Sequence, residues 1–232
     1  MKYSIVIPCY NEAPNIINLV DTIRLYQKEH DVEFVLVENG SKDNSRKIFS
    51  DILTSSDNIK LVLVDVNQGY GYGIKQGVKQ ASGEYVGWVH ADMQVALEDL
   101  TQFFDYIEQN ENPNNILLKG KRLNRSLMDY FFTNGMGLFE CCLFGTYMYD
   151  IQSIPTIMDR SLIGVEQSAP NDFSHELYVY YKAKKSNYKI VHFPVIIRNR
   201  EAGDSSWNKG FMSKIKQSWR IIKASFNIRF GK

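Results

Sequence analysis

Residues 3–10 (YSIVIPCY) and residues 32–41 (VEFVLVENGS) are two runs of β-branched and other apolar residues that each end in turn-forming residues. Runs of this kind predict buried β-strands. Two more follow, at residues 59–67 (IKLVLVDVN) and residues 84–92 (EYVGWVHAD). All four are apolar almost throughout, which is typical of strands covered on both faces of a sheet.

Segments with helical spacing separate these runs. In residues 13–29 (APNIINLVDTIRLYQKE) the apolar residues recur every three or four positions, with a proline near the predicted helix start. The other predicted helices are residues 45–53 (SRKIFSDIL), 72–82 (YGIKQGVKQAS) and 97–109 (LEDLTQFFDYIEQ). Strands that alternate with helices predict an α/β domain with a parallel sheet between helices.

Composition sets broad limits on the class of protein. The chain has 232 residues, 44% of them hydrophobic and 23% charged, as in an ordinary soluble globular protein. The net charge of +1 predicts no general affinity for nucleic acid. The three cysteines, Cys9, Cys141 and Cys142, favour a reducing compartment, the cytoplasm, over a disulfide framework. We expect no signal peptide and no spanning helix, which needs about 20 nearly uncharged residues.

Polar residues stand where each of the four predicted strands ends. They are Asn11, Glu12, Glu38, Asn39, Asn67, His90, Asp92 and Gln94. Because ligands of open parallel sheets bind outside the carboxyl ends of the strands, we expect these side chains to form one site. Solvated loops and helix caps are the alternative, and they account well for Ser41, Asp43 and Ser45.

The stretch HADMQ, residues 90–94, carries the most specific chemistry. Alternate residues of an extended chain point to the same side, so His90, Asp92 and Gln94 are expected to converge. A carboxylate with nearby oxygen donors is typical of Mg²⁺ or Mn²⁺ held beside substrate phosphates. We therefore predict these three as ligands of a divalent cation, with a structural, hydrogen-bonded role as the alternative for His90.

A glycine run, Gly69, Gly71 and Gly73, opens the helix after the third strand. Its spacing differs from the dinucleotide-binding fingerprint, and it follows the third strand rather than the first. It predicts either a close approach of backbone to a ligand or a tight turn from strand to helix.

Together these segments resemble a known family. SIVIPCYNEAPNI, FVLVENGSKDNS, NQGYGYGIKQGVKQASGEYV and HADMQ occur in the order of the motifs of family 2 glycosyltransferases with the GT-A fold, over roughly residues 3–100. They are most similar to the dolichol-phosphate mannose synthase branch and its bacterial polyprenyl-phosphate relatives. Later segments, GKR, YDIQSIPTIMDRSLI and RNREAGDSSW, are similar to further motifs of that branch.

The resemblance implies a fold and a reaction. The fold would be a Rossmann-like, mixed but mostly parallel sheet flanked by helices, in a domain over residues 1–204. Residues 1–110 would bind the nucleotide sugar and residues 111–204 the acceptor. The reaction would be inverting transfer of a sugar from a UDP- or GDP-linked donor to a polyprenyl-phosphate or polysaccharide acceptor.

The resemblance also assigns residues. The nucleotide would be bound by Pro8, Tyr10, Glu12, Glu38, Asn39, Asn67, Gly69, Lys75 and Ala91. Arg200 and Ser205 would lie near a donor or acceptor phosphate. Apart from the resemblance, Arg122, Arg125 and Arg200 are candidates for steering an acceptor phosphate, with ordinary solvated arginines as the alternative. The predicted catalytic residues are Asp92, Asp172 and Arg200. The chain has His90 where the branch has an aspartate, so a strict requirement for Mn²⁺ or Mg²⁺ is left open.

The end of the chain bears on the acceptor. From Ser205 onward there is no Asp or Glu and there are seven Lys or Arg residues. Phe211, Ile215, Trp219, Ile222 and Phe226 recur at helical spacing, so residues 205–232 predict a basic amphipathic helix. Such a helix favours peripheral attachment to the inner face of the cell membrane, and packing on the sheet is the alternative.

Several functional alternatives remain. A sugar hydroxyl acceptor needs a general base, for which NDFSHEL offers Asp172, His175 and Glu176, whereas a polyprenyl phosphate is already an anion. The chain is thus predicted to be a lipid-phosphate transferase or a hydroxyl-acceptor transferase of cell-surface glycan synthesis. A third alternative is a non-catalytic nucleotide-binding module that lost activity with its first metal carboxylate. A nucleotidyltransferase is disfavoured, because residues 8–15 lack its glycine and lysine loop.

Overall fold

The computed structural model of the chain describes residues 1–55, 57–124, 127–198 and 211–231. Within these ranges, seven strands lie in one sheet: β1 (Tyr3–Cys9), β2 (Val32–Asn39), β3 (Ile59–Val64), β4 (Tyr85–Trp88), β5 (Ile116–Arg122), β6 (Thr156–Asp159) and β7 (Lys189–Val195). The helices there are α1 (Ile16–Tyr26), α2 (Ser45–Ile52), α3 (Tyr70–Gln80), α4 (Thr101–Gln109), α5 (Leu127–Phe144), α6 (Ile163–Gln167), α7 (His175–Lys185) and α8 (Phe211–Phe230).

The sheet is mixed but mostly parallel, as predicted. Its strand order is β3-β2-β1-β4-β6-β5-β7. β1 lies parallel to both β2 and β4, and β2 lies parallel to β3. The exception is β6, which runs antiparallel to β4 and β5. The carboxyl ends of the first four strands therefore meet at one edge, and the order of strands along the chain reverses between β1 and β4.

Both faces of the sheet are covered, which explains the uninterrupted apolar runs. Ile5 and Ile7 of β1 pack in a cluster with residues of α1 and α4, whereas Val6 packs on the other face with α3. The contact with α3 is close, since a Cβ at Gly77 would come within 2.2 Å of Val6 Cγ1. Helix α3 is thereby held directly against the strands whose ends carry the polar residues.

A buried polar cluster joins the antiparallel part of the sheet to α7. Lys119 Nζ lies 3.0 Å from Glu176 Oε2 and 2.9 Å from Thr156 Oγ1. Trp88 Nε1 donates a hydrogen bond to the other carboxylate oxygen of Glu176. All four side chains are buried. The cluster links β4, β5 and β6 to α7, and Glu176 is therefore a structural residue in this fold.

Helix α8 supplies the predicted C-terminal helix, and it packs on α5. Ser225 Oγ donates to Glu140 Oε1 at 3.3 Å, and Arg229 Nε donates to the carbonyl of Leu143 at 3.1 Å. The rings of Phe139 and Phe226 meet edge-on at 5.9 Å. None of the helices in the described ranges combines the length and the apolar character needed to cross a bilayer.

Glu140 makes this helix contact dependent on pH. Its Oε2 atom is buried and has no hydrogen-bond partner among the described residues. Burial raises the pKa of Glu140 from 4.5 to about 7, although the hydrogen bond from Ser225 opposes the rise. Between these pH values the folded chain keeps a proton that the unfolded chain releases. The free energy of unfolding therefore falls as pH rises through this window.

We expect Glu140→Gln to remove that fall, because the amide still accepts from Ser225 but does not ionise. The variant should match the wild type below about pH 4.5 and exceed its free energy of unfolding by on the order of 3 kcal/mol above pH 7. Denaturant unfolding at pH 4.5, 6 and 8 measures this, with the exposed Glu29→Gln as control. Identical pH dependence in wild type and Glu140→Gln would contradict the assignment.

Candidate functional site

The loops that follow β1 and β2 are hydrogen bonded to each other. The Asn11 backbone N–H donates to Ser41 Oγ at 3.0 Å, and the Lys42 N–H donates to Asn11 Oδ1 at 2.8 Å. The Glu12 N–H donates to Ser45 Oγ at 3.1 Å. Asn11 adopts a left-handed conformation with φ of 55°, which asparagine tolerates better than most residues. The loops after the two strands, residues 11–12 and 41–45, thus form one rigid unit, here called the wall.

Glu38 anchors this wall from within. Its side chain is fully buried and accepts from the Ser41 N–H at 2.6 Å and from Arg46 Nε at 2.8 Å. Arg46 also donates through Nη2 to the carbonyl of Val64 at the end of β3. Both oxygens of this predicted nucleotide-binding residue are therefore engaged in holding the loop.

Asn39 and Asn67 connect the wall to the start of α3. Asn39 Nδ2 donates to the carbonyl of Gly69 at 3.0 Å, and Asn67 Nδ2 donates to the carbonyl of Asn39 at 2.8 Å. Asn39 Oδ1 is buried and has no hydrogen-bond partner within the described part of the chain. Buried acceptors are rarely left unpaired, so a water or ligand that donates a hydrogen bond would complete this position.

The glycine run lets another loop approach the start of α3. A Cβ at Gly69, where φ is 116°, would lie 2.3 Å from the carbonyl oxygen of Asn171. A Cβ at Gly71 would lie 2.5 Å from that of Pro170. Lys75, a predicted nucleotide-binding residue, donates to the carbonyl of Ala169 at 2.7 Å. The glycines therefore accommodate a close approach of residues 169–172 of the chain itself, and a contact of this run with a ligand remains a prediction.

The segment after β4 differs from the sequence expectation. The strand was expected to extend to residue 92, but it ends at Trp88, residues 91–92 form a turn, and Met93 has a left-handed φ of 54°. The expectation that His90, Asp92 and Gln94 alternate along an extended chain is therefore wrong. Asp92 instead accepts from the Gln94 N–H at 3.2 Å, and Gln94 Nε2 donates to the carbonyl of Arg198.

His90 is held by an aromatic neighbour that the sequence analysis did not single out. Its Nε2 atom lies 3.1 Å from the hydroxyl of Tyr70, and the two rings meet edge-on at 5.3 Å. Tyr70 stacks in turn on Phe173 at 5.1 Å. Nothing in the sequence marks Tyr70 except its place inside the glycine run. Tertiary packing brings this run, the HADMQ turn and residues 169–174 together.

The predicted cation ligands fit a cation that is held partly by substrate phosphates better than one that is held by protein side chains alone. Among the described residues, no group of three or more His, Cys, Asp or Glu side chains is placed to hold a metal ion. Asp92 is buried at the sheet edge, with half-buried His90 two residues before it. Mg²⁺ is commonly held by one or two carboxylates together with substrate phosphates. The donor set fits a cation of that kind, bound jointly with a diphosphate.

The other predicted nucleotide-binding residues lie along the same edge. Pro8 is half-buried, Tyr10 is exposed, and Ala91 is buried. Glu12 is half-buried and accepts from Asn15 Nδ2 at 2.6 Å. The contacts of these residues with a nucleotide remain a prediction.

The predicted acceptor and catalytic residues divide into three groups. Arg122 is paired with the buried carboxylate of Asp150, with Nε 3.0 Å from Oδ1. Asp172 is exposed, and its Oδ1 accepts from the Ser174 N–H at 2.9 Å. The residues that lie outside the described part of the chain are Arg125, Arg200 and Ser205.

Of the three possible general bases, Asp172 is the one at the surface. His175 is fully buried, and its Nε2 lies 2.7 Å from Glu166 Oε1. Glu176 is buried in the cluster with Lys119. Neither buried group is exposed to an incoming acceptor. Among these three residues, Asp172 is therefore the candidate general base.

Comparisons with known proteins identify the family. Residues 4–127, more than half of the chain, match the family described as Glycosyl transferase family 2. The chain therefore belongs to glycosyl transferase family 2, which confirms the family that its motifs resemble.

Two relatives have lipid phosphates in their names. The undecaprenyl-phosphate 4-deoxy-4-formamido-L-arabinose transferase of Proteus mirabilis is 34% identical over 112 residues, covering 47% of this chain and 34% of that protein. The dolichyl-phosphate beta-glucosyltransferase of Dictyostelium discoideum is 25% identical over 98% of this chain and 75% of that protein. The chain covers about a third or less of the length of several other relatives, including 26% of the poly-beta-1,6-N-acetyl-D-glucosamine synthase of Staphylococcus epidermidis.

A solved structure shares the fold. Glucosyl-3-phosphoglycerate synthase from Mycobacterium tuberculosis, crystallised with Mn²⁺, UDP and glucosyl-3-phosphoglycerate, superposes with a TM-score of 0.68 at 16% identity. The superposition covers 99% of this chain and 80% of that one. The predicted fold class is confirmed by this match together with the sheet order.

Glu38→Gln should loosen the wall formed by the β1 and β2 loops. The amide keeps an acceptor for the Ser41 N–H but loses the charge that pairs with Arg46. Because Arg46 is nearly half exposed, we expect a loss of about 2 kcal/mol in the free energy of unfolding. Chemical denaturation measures it. The control is Glu108→Gln, whose exposed ion pair with Lys2 at 3.4 Å should contribute less than about 1 kcal/mol. Equal losses in both variants would contradict the anchoring role of Glu38.

Proposed function

We propose that this chain is an inverting glycosyltransferase that takes a sugar from a UDP- or GDP-linked donor and transfers it to a polyprenyl phosphate. The observation that carries the proposal is the placement of buried Asp92 at the sheet edge where the unpaired Asn39 Oδ1 and the start of α3 also lie. Family membership and the shared fold support the same conclusion.

The proposed chemistry assigns a task to each part of the edge. The donor releases a nucleoside diphosphate, whose charge has to be stabilised as the glycosidic bond breaks. Asp92, with His90, would hold a divalent cation, Mn²⁺ or Mg²⁺, which would neutralise that charge. The wall built on Glu38 and Asn39 would position the nucleoside, because its side chains are locked by hydrogen bonds before any ligand arrives.

Asp92→Asn tests the donor site. Calorimetric titration with UDP and with GDP, each with Mn²⁺, with Mg²⁺ and with a chelator, should show metal-dependent binding of one nucleotide by the wild type. The substitution removes the carboxylate charge, so we expect at least a tenfold weaker affinity, or about 1.4 kcal/mol. Asp105→Asn, which changes an exposed carboxylate on α4, is the matched control and should bind as the wild type does.

Two outcomes of that titration would change the conclusion. If the wild type binds neither nucleotide under any condition, the donor site is not formed by these residues. If it binds but neither transfers nor hydrolyses donor sugar, the chain is a non-catalytic nucleotide-binding module.

The acceptor is proposed from the loop chemistry and the relatives. Two relatives are named for transfer involving undecaprenyl and dolichyl phosphates. An acceptor phosphate is already an anion and needs cationic residues for placement rather than a base. Arg125 and Arg200 are predicted to supply that charge and Ser205 a hydroxyl donor, and Arg122, although already paired with Asp150, is the predicted third cation. The alternative acceptor is a sugar hydroxyl, for which Asp172 is the exposed candidate base.

Asp172→Asn distinguishes the two acceptors. With a short-chain polyprenyl phosphate as acceptor, we expect kcat to stay within about threefold of wild type, because no proton has to be removed. Loss of a general base typically costs about 10²- to 10⁴-fold. If the wild type instead transfers radiolabelled sugar only to a sugar hydroxyl, and Asp172→Asn lowers that kcat by this factor under saturating donor, the acceptor is a hydroxyl.

Attachment to a membrane surface is the second part of the proposal, and α8 supports it. Trp219, Phe226 and Phe230 are 67%, 45% and 62% exposed and share one helical face. The opposite face, with Ile221 and Ile228, packs on the protein. The exposed aromatic face is flanked by the cations Arg220, Lys223 and Arg229, as expected for a helix lying on anionic lipid. The proposed location is the inner face of the cell membrane.

Vesicle sedimentation tests this surface. The wild type should bind vesicles of phosphatidylglycerol and phosphatidylcholine more strongly than phosphatidylcholine alone, and high salt should reduce the difference. Trp219→Ser combined with Phe226→Ser and Phe230→Ser should abolish binding. The control changes exposed apolar residues elsewhere, Leu25→Ser with Val66→Ser, and should not affect it. Equal binding by both multiple variants would exclude α8 as the attachment surface.

A further inference from the structure

The residues that directly follow β7, Ile196 to Arg198, form a segment here called the strap. β7 is parallel to β5, and β5 and β4 are both antiparallel to β6, so β7 ends at the same edge of the sheet as β4. In the sheet, β6 and β5 lie between β4 and β7. Neighbouring strands are about 4.8 Å apart, so the strap has to cross about 14 Å to reach β4, whereas its residues span at most about 11 Å. The loop after β4 therefore has to meet it.

The strap is held by amide side chains that pair with its peptide groups. Asn124, which follows β5, accepts from the Ile197 N–H at 2.8 Å through Oδ1 and donates through Nδ2 to the Ile197 carbonyl at 2.6 Å. The Arg198 N–H donates to the backbone carbonyl of Gln94 at 2.8 Å, and Gln94 Nε2 donates to the Arg198 carbonyl at 3.1 Å. Ile197 and Arg198 are each held through both the N–H and the carbonyl.

These contacts need the chemistry of an amide. An amide side chain carries N–H donors and a carbonyl acceptor, so it can pair with a peptide group as a neighbouring strand would. A carboxylate in the same place would face a backbone carbonyl with a second acceptor. Gln102 of α4 contributes a similar contact just before the strap, since its Nε2 donates to the carbonyl of Pro194 at 3.0 Å.

The two amides join different parts of the candidate site. Gln94 belongs to the HADMQ turn, where the donor diphosphate is proposed to bind. Asn124 follows the end of β5, which carries Arg122, a predicted acceptor residue. The sequence predicts Gln94 as a cation ligand, whereas in the structure its side chain is directed by the Arg198 carbonyl. The strap thus connects the predicted nucleotide-binding part of the chain to the predicted acceptor-binding part.

We propose that Gln94 is a positioning residue rather than a ligand of the cation, and that it acts together with Asn124. The two amides clasp the strap and fix the spacing between the HADMQ turn and the ends of β5 and β7. An acceptor bound at those strand ends is thereby held at a set distance from the donor sugar. The clasp stands on the contacts alone, whereas its effect on sugar transfer rests on the proposed function.

The clasp can be measured without any ligand. Gln94→Met and Asn124→Leu keep the approximate size of each side chain and remove its amide. In ¹H–¹⁵N spectra we expect each variant to exchange the Ile197 and Arg198 amide protons at least about fivefold faster than the wild type, the effect of about one hydrogen bond. Gln109→Met, at an exposed position of α4, is the matched control and should leave both rates unchanged.

The positioning role is tested by binding and by transfer. In calorimetric titration with Mn²⁺ and the nucleotide that the wild type binds, Gln94→Met should stay within about threefold of wild-type affinity. With a short-chain polyprenyl phosphate, Gln94→Met and Asn124→Leu should each lower kcat/KM for the acceptor by at least about tenfold, because misplaced reactants react slowly, and leave the donor KM unchanged. Gln94→Glu should lower it too, since glutamate keeps an oxygen for a cation but cannot donate to the Arg198 carbonyl.

The outcomes separate this inference from the function on which part of it rests. Wild-type exchange rates in Gln94→Met or Asn124→Leu would overturn the clasp. A loss of Mn²⁺-dependent nucleotide affinity in Gln94→Met of about tenfold or more, or full transfer by Gln94→Glu, would identify Gln94 as a ligand and overturn its positioning role. If the wild type binds no nucleotide, the proposed function fails while hydrogen exchange still decides the clasp. Circular dichroism melts check that each variant folds.

Discussion

The buried ion pair between Lys119 and Glu176 is the contact on which the rest of this structure depends. Lys119 lies on β5 and Glu176 on α7, and Thr156 and Trp88 complete the cluster from β6 and β4. Burying two charges costs free energy that hydrophobic residues of the same size would not cost. The pair is tolerated because each charge has further hydrogen-bond partners. It fixes where β6, the antiparallel strand, and α7 meet the parallel half of the sheet.

The position of α7 sets the geometry of the candidate site. The loop over residues 169–174 leads into α7 and lies against the glycine-rich start of α3. Phe173 of this loop stacks on Tyr70, and Tyr70 contacts His90. The polar edge of the parallel strands is therefore held from two directions. Strand register and the loops after β1 and β2 hold one side, and the buried cluster holds the other.

Much of the fold was predictable because it follows from local pattern. Apolar runs predict the first four strands, and helical spacing predicts the helices between them, since burial on both sheet faces needs such residues. The carboxyl ends of parallel strands meet at one edge whatever the loops do, so Asn39, Asn67 and Asp92 were expected to lie there. The sequence did not show that the extended conformation stops at Trp88. Nothing local signals the left-handed backbone at Met93.

What the sequence determined by itself was the family, the sheet with its polar edge, and the residue types available there. Tertiary structure decided which of those side chains are paired with other side chains and which are available to a ligand. Glu38, Arg122 and Glu176 look alike in sequence as charged candidates, yet each is paired. Glu38 pairs with Arg46 in the next helix, whereas Arg122 and Glu176 pair with Asp150 and Lys119 from distant segments. Such pairing depends on where distant segments meet when the core closes. Periodicity and motif spacing carry no information about that meeting, because they report contacts within one element.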